Sequence, residues 1–150
     1  MPRLKCIVVT PEKTVLDSET DFVVLPLFDG EIGIAPGHSP MIGRLGDGEM
    51  RLREGGKIAR FYVEGGFVEV VNNVVSVLTN RAMPAASVDL AVAEEQLNRA
   101  LERPAHTEEL LTIRERTLAQ ARAQIRVARR QATGGASAAA SAASPNAPPV

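Results

Sequence analysis

At Met83-Pro84 the hydrophobic period of this chain changes, and that break limits its architecture more than any other feature. Before it, from Arg3 to about Asn80, short alternating runs are separated by turn formers, which is an all-β pattern. Met50-Arg51-Leu52-Arg53 alternates strictly, and Ala59, Phe61 and Val63 share one face while Arg60, Tyr62 and Glu64 take the other. One face of such a strand is buried and the other is wet. Glu54-Gly55-Gly56-Lys57, Glu64-Gly65-Gly66 and Val71-Asn72-Asn73-Val74 offer the positive-φ residues that tight hairpins need, so consecutive strands are expected to pair antiparallel. Roughly eight to ten short strands are too many for one flat sheet, and two packed sheets are the simplest solution.

Beyond Pro84 the period becomes helical. Ser87 is a suitable N-cap, and Leu90, Ala93, Leu97 and Ala100 recur at three- and four-residue steps until Pro104 stops the helix. Thr107 then caps a second helix with Glu108 and Glu109 at the positive end of its dipole and a stripe of Leu111, Leu118, Ala121, Ile125 and Ala128. A connection of about three or four residues makes the two helices antiparallel, and Leu-with-Ala seams let their axes approach. The fold class predicted is therefore mainly β plus α. It comprises an antiparallel β-sandwich over residues 1–84, a two-helix hairpin over 85–131, and an Ala/Ser/Pro tail over 132–150. The tail has too little apolar surface to offset its ordering entropy and is expected to be disordered.

Composition narrows function mainly by exclusion. The 17 basic and 18 acidic residues leave no general electrostatic footprint for nucleic acid. No apolar run reaches the length of a membrane span or a signal peptide, so membrane association is expected only through partners. The single Cys6 excludes an internal disulfide and fits a reducing compartment. There is no Gly-x-Ser-x-Gly, Cys-x-x-Cys or His-Glu-x-x-His motif, and no catalytic residue, metal site or cofactor is expected.

The run Gly30-Glu31-Ile32-Gly33-Ile34-Ala35-Pro36-Gly37-His38-Ser39-Pro40 packs turn formers around one short apolar element. His38 is either a group that titrates or touches a partner, or a loop histidine with local hydrogen bonds. Glu31 is either an exposed strand-end carboxylate or a contact for a polar or basic surface. The second helix carries Arg114, Arg116, Arg122, Arg126, Arg129 and Arg130 against Glu115 in the same stretch. Neighbouring like charges on a helix repel by a few tenths of a kcal/mol per pair. The segment is thus either a solvated face or a surface for acidic protein or phosphate.

Read as Gly-Glu-Ile-Gly-Ile-x-Pro-Gly-His-x-Pro, this run resembles the signature of the epsilon subunit of F-type ATP synthases. Val9-Thr10-Pro11-Glu12, Gly65-Gly66-Phe67-Val68-Glu69-Val70, the segment Val74 to Leu78 and the helical hairpin match in order and spacing, leaving only the tail outside. The resemblance implies a ten-stranded sandwich followed by two helices, in a noncatalytic rotor subunit that binds the gamma subunit and the c-ring. Its implied location is peripheral, on the cytoplasmic face of the inner membrane. By the same resemblance Glu31 contacts the polar loops of the c-ring and His38 lies close to the same end. The hairpin would fold on the sandwich or extend along gamma and block ATP hydrolysis, its basic helix meeting an acidic loop of the beta subunit.

Several bacterial members also bind ATP on the folded hairpin through (Ile/Leu)-Asp-x-x-Arg-Ala and later arginines. Here the motif reads Val88-Asp89-Leu90-Ala91-Val92-Ala93: Asp89, Arg99, Arg122 and Arg126 match, but Val92 replaces the motif arginine and Met83 an upstream acid. Losing one charge-assisted contact costs roughly 1.5 to 3 kcal/mol, so weak or absent ATP binding is expected. The alternative to a rotor subunit is a freestanding nucleotide- or anion-sensing module built on the hairpin arginines.

Overall fold

The structure, a computed structural model, describes residues 2–142, with side chains described as far as Gln131. The described residues form two five-stranded sheets. The first, sheet A, contains β1 (Leu4–Val9), β2 (Thr14–Thr20), β5 (Met41–Arg44), β8 (Phe67–Val71) and β9 (Val74–Leu78) in the order β2-β1-β9-β8-β5. The second, sheet B, contains β3 (Phe22–Leu27), β4 (Gly30–Ile34), β6 (Asp47–Glu54), β7 (Lys57–Glu64) and β10 (Ala82–Pro84) in the order β10-β7-β6-β3-β4. All pairings are antiparallel except β1 with β9, which lie parallel in the middle of sheet A. The expected sandwich is present, with the chain crossing between sheets after β2, β4, β5, β7 and β9.

Alternation fills the space between the sheets. Cys6 and Val8 of β1, Val23 and Leu25 of β3, Met50 and Leu52 of β6, and Val68, Val70, Val75 and Val77 of β8 and β9 are all buried there. Burial pushes the Cys6 thiol up to about 12, which keeps it an inert, protonated packing group. The β6–β7 and β8–β9 turns are as read: Gly55 takes φ +60, and Asn72 and Asn73 take φ 50 and 63.

The Gly65-Gly66 pair differs from its expected role. It joins no hairpin but turns the chain from β7 in sheet B to β8 in sheet A. Packing, in addition to turn geometry, requires glycine here. Gly66 has φ +102, and a Cβ on it would collide with the carbonyl oxygen of Leu78. Its own carbonyl accepts a hydrogen bond from Leu45 N at 2.9 Å, tying the corner to the start of β6.

After β10 a single 3-10 turn (Ala85–Ser87) precedes α1 (Leu90–Glu102), and α2 (Glu108–Ala142) follows. Ser87 is not the cap. It ends the 3-10 turn, and Asp89 accepts the Val92 N–H at 3.2 Å as the N-cap of α1. Thr107 caps α2 as expected, with Leu110 N donating to its Oγ1 at 3.1 Å. Leu118, Ala121, Ile125 and Ala128 are buried, but Leu111 is 43% exposed. Arg114 lies opposite Ala100 and Leu101, so Leu111 falls level with the end of α1 and stays partly exposed. Helix α2 extends to Ala142, past the 131 boundary expected for the hairpin. The rest of the predicted tail, 143–150, lies outside the described residues.

The Gly66 corner gives a sharp test. Gly66→Ala is expected to destabilise the chain by roughly 3 kcal/mol or more, since strain at positive φ adds to a backbone clash. Gly56→Ala, with open space around the new methyl, is expected to change stability by less than about 0.5 kcal/mol. Urea denaturation of both variants checks the contrast.

Candidate functional site

The outer faces of the two sheets meet different fates, and the candidate surfaces follow from that. On sheet B the outward residues Arg51, Arg60, Tyr62 and Glu64 were expected to be wet, and Glu49, the cross-strand partner of Tyr62, shares their face. Instead the hairpin lies over them. Tyr62 is fully buried against Ala85, Ala123 and Val127, with Met83 and Val88 packed alongside. The reason is a second buried stripe on α2: Ala123, Gln124 and Val127 face the sandwich while Leu118, Ala121 and Ile125 line the seam with α1. The Tyr62 hydroxyl donates to Glu64 Oε1 at 2.8 Å and also bonds Gln124 of α2. Burial and the adjacent carboxylate push the phenol well above its ordinary pKa.

A strip of acid lies beneath α2. Asp47 and Glu64 are cross-strand partners, and burial followed by the Glu64 charge holds the Asp47 carboxyl above its usual range. The Gly65 N–H and the guanidiniums of Arg126 and Arg116 pull it partly back. Glu49 is almost completely enclosed, with Arg51, Arg60 and Arg130 gathered on one of its oxygens at 3.2, 2.9 and 3.4 Å.

The six arginines therefore form no single basic face. Arg114 donates to the carbonyls of Ala100 and Leu101 and so closes the C-terminus of α1, while Arg129 meets Glu94 of α1 at 3.4 Å. Arg130 reaches Glu49, and Arg116 and Arg126 lie within the electrostatic reach of Asp47. Arg122 and Arg126 line an open cleft with Glu94, Leu97 and Asn98. Arg99 lines a different cleft of about 340 Å³, with Arg81, Arg103, Arg114 and Glu64. The proposed nucleotide set is thus divided: Asp89 caps a helix, Arg99 lines one groove, and Arg122 and Arg126 line another.

Glu31 and His38 are also separated. Glu31 lies near the start of β4 and its Oε2 accepts from Arg51 at 3.3 Å on the outer face of sheet B. His38 follows the other end of β4, in a turn closed by its own N–H on the Ala35 carbonyl. Its ring Nδ1 lies 2.7 Å from the Ser39 carbonyl, and Gly37 N donates to Asn73 at 2.7 Å. Next to Glu31, the β3–β4 tip presents Phe28, 70% exposed, with the Arg44 guanidinium 5.4 Å from its ring centre.

Sheet A leaves its outer face uncovered by the described residues, and there sequence reasoning missed a surface. Ile42, Phe67 and Leu78 are 76, 57 and 55% exposed, and Phe67 and Leu78 are direct cross-strand partners. The signal was available: the outward positions of β8 and β9 read Phe67, Glu69, Val71 and Val74, Ser76, Leu78, more apolar than a half-solvated face needs. Among the described residues no cluster of His, Cys, Asp and Glu could hold a metal, and no helix is long and apolar enough to cross a membrane.

Residues 3–85 match the family described as ATP synthase, Delta/Epsilon chain, beta-sandwich domain. The chain is 47% identical over 126 residues to an ATP synthase epsilon chain of Rhodopirellula baltica, covering 84% of this chain and 98% of that one. It is 42% identical over 120 residues to one of Desulfitobacterium hafniense, covering 80% and 90%. Two solved assemblies contain a chain of similar fold. One is the OSCP/F1/c-ring of the Euglena gracilis mitochondrial ATP synthase, with TM-score 0.74, 21% identity and coverage of 81% and 79%. The other is the central stalk/c-ring of the Tetrahymena thermophila mitochondrial ATP synthase, with TM-score 0.66, 14% identity and coverage of 83% and 96%.

The raised Asp47 pKa predicts an unusual pH dependence. A carboxyl that holds its proton more tightly when folded makes stability fall as pH rises from the ordinary carboxylate range through the higher folded value. The whole penalty is then present at pH 7. Asp47→Asn is expected to raise stability at pH 7, the gain vanishing in acid below the ordinary range. Denaturant melts of both proteins across pH check it, and a variant less stable at pH 7 refutes it.

Proposed function

The chain belongs to the ATP synthase delta/epsilon family, and from that membership we propose that it is a noncatalytic central-stalk subunit coupling gamma to the c-ring in proton-driven ATP synthesis. The observation that carries this reading is the uncovered apolar face of sheet A around Ile42, Phe67 and Leu78. Exposed apolar patches of this kind serve as partner sites, and gamma is the partner we assign to it. The sandwich is the fixed unit, residues 1–84, and its β3–β4 tip, with Phe28 and Glu31, is the c-ring contact. His38, beyond the opposite end of β4, is then assigned to the gamma side. The chain would sit peripherally on the cytoplasmic face of the inner membrane, held there by its partners.

The hairpin, residues 85–131, is the exchangeable unit in this proposal. A two-helix hairpin has little core of its own, so it can leave the sandwich at modest cost and present Arg116, Arg122, Arg126 and Arg130 to the beta subunit. Hydrolysis is blocked in that state. The second reading, a freestanding nucleotide sensor, is disfavoured by the division of Arg99 from Arg122 and Arg126 between two clefts.

Three measurements test these assignments. Reconstitution with gamma is expected to recover the wild-type chain stoichiometrically and to lose Phe67→Glu by at least tenfold, since a charge is then buried at the contact. In the same assembly, truncation before Ser87 is expected to retain gamma and raise ATP hydrolysis; unchanged hydrolysis refutes the inhibitory role. Isothermal titration of the isolated chain with ATP is expected to show no saturable binding below roughly millimolar concentration. Micromolar binding abolished by Arg122→Ala favours the sensor.

A further inference from the structure

Glu49 is the least satisfied buried group among the described residues. Its side chain is 4% exposed. Oε1 is served three times, by Arg51 Nη1 at 3.2 Å, Arg60 Nη1 at 2.9 Å and Arg130 Nη1 at 3.4 Å. Oε2 is served by no protein donor and has essentially no accessible surface. The crowding is unequal in origin as well as in number. Arg51 belongs to β6 and Arg60 to β7, so both hold Glu49 whether or not the hairpin is docked. Only Arg130 comes from α2, and it adds the longest of the three contacts from a side chain 57% exposed.

We propose that Glu49 acts as a release element that opposes docking of the hairpin on the sandwich. Docking places α2 over the strip formed by Asp47 and Glu49, and those residues, with Ala123, Arg126, Val127 and Arg130, line a cavity of about 160 Å³ under the helix. It gives Oε1 a third, long contact it does not need and removes water from Oε2, which receives nothing in exchange. An ionised carboxylate oxygen stripped of water without a donor disfavours the state that strips it, and a partly exposed guanidinium at 3.4 Å returns little. The apolar contacts of Tyr62, Ala85, Ala123 and Val127 hold the helix down. Glu49 pushes against them from the position directly across the strand pair from Tyr62. The two side chains are therefore opposed by construction: the ring fixes where the hairpin docks, and the carboxylate beside it limits how firmly.

The inference rests on the proposed exchange of the hairpin, and hydrogen–deuterium exchange on the full chain at pH 7 separates the two. In the wild type, α2 amides are expected to exchange faster than the strand amides of β6 and β7, reporting detachment without unfolding. Glu49→Met removes the carboxylate and retains apolar volume. It is expected to slow α2 exchange about tenfold, the effect of restoring one unsatisfied buried group. Arg130→Gln is expected to change it less than twofold. Strand amides report whether each variant folds; should Glu49→Met loosen the sandwich, the closer isostere Glu49→Gln is read instead and is expected to slow α2 in the same direction. Faster α2 exchange in the Glu49 variant, or a tenfold increase in Arg130→Gln, makes Glu49 an anchor and overturns the proposal. If α2 and the strands exchange together in the wild type, the hairpin does not detach, and the inhibitory reading falls as well.

Discussion

The contact of Tyr62 with Ala123 and Val127 decides what the rest of the molecule presents to solvent. A two-sheet sandwich has two inner faces that bury each other and two outer faces that do not. In this chain the outer face of sheet B is closed by the hairpin, because Tyr62 offers a flat ring and α2 offers side chains small enough to let its backbone approach. Burying Val127 contributes roughly 1.5 to 2 kcal/mol, and the alanines less. That is of the same size as the cost of one unserved buried polar group, which is about 1 to 3 kcal/mol. Tyr62 and its bond to Gln124 add to the apolar side, so an unserved carboxylate oxygen beneath the helix weakens docking without reversing it.

The asymmetry between the sheets follows. The outer face of sheet B mixes acids and arginines around one aromatic ring, a surface that tolerates water when the helix is absent. Sheet A's outer face carries Ile42, Phe67 and Leu78 with Arg44 and Glu69 beside them in register, a surface whose apolar part has no such use for water. A permanent partner suits the second and a removable cover suits the first. This division fits the proposed role, in which one neighbour stays on sheet A while the hairpin changes places.

Much of the fold was legible in the sequence because short-range physics determines it. Alternation placed Met50 and Leu52 inside, Asn72-Asn73 made its turn, and Thr107 capped its helix. What escaped was set by long-range packing. The alternation of β7 assigns Tyr62 to the outer face correctly, yet the pattern of one strand cannot say that a helix sixty positions away will cover that face. Ser87 and Asp89 are both good caps, and the choice depended on the 3-10 turn that Pro84 and Ala85 begin. Glycine at 65 and 66 was read for its dihedral freedom alone, whereas Gly66 is also needed because β9 passes too close for a side chain.

The candidate site was less legible for a related reason. Arginine spacing along α2 puts like charges within a turn of one another, but the partner of each is chosen by the surface it happens to cross. Arg114 closes a helix, Arg129 meets α1 and Arg130 meets β6. Counting them as one basic face therefore overstates the charge available to an outside ligand while the hairpin is docked. Undocking changes this for Arg130 and for the electrostatic neighbours of Asp47, which lose their acidic counterparts together. In the proposed exchange, the movement that exposes Glu49 to water also frees these cationic groups, and an acidic partner would replace the contacts they lose. Arg114 is different, since its bonds lie within the hairpin and travel with it. Those bonds hold the two helices antiparallel, and separating the helices end to end requires breaking both.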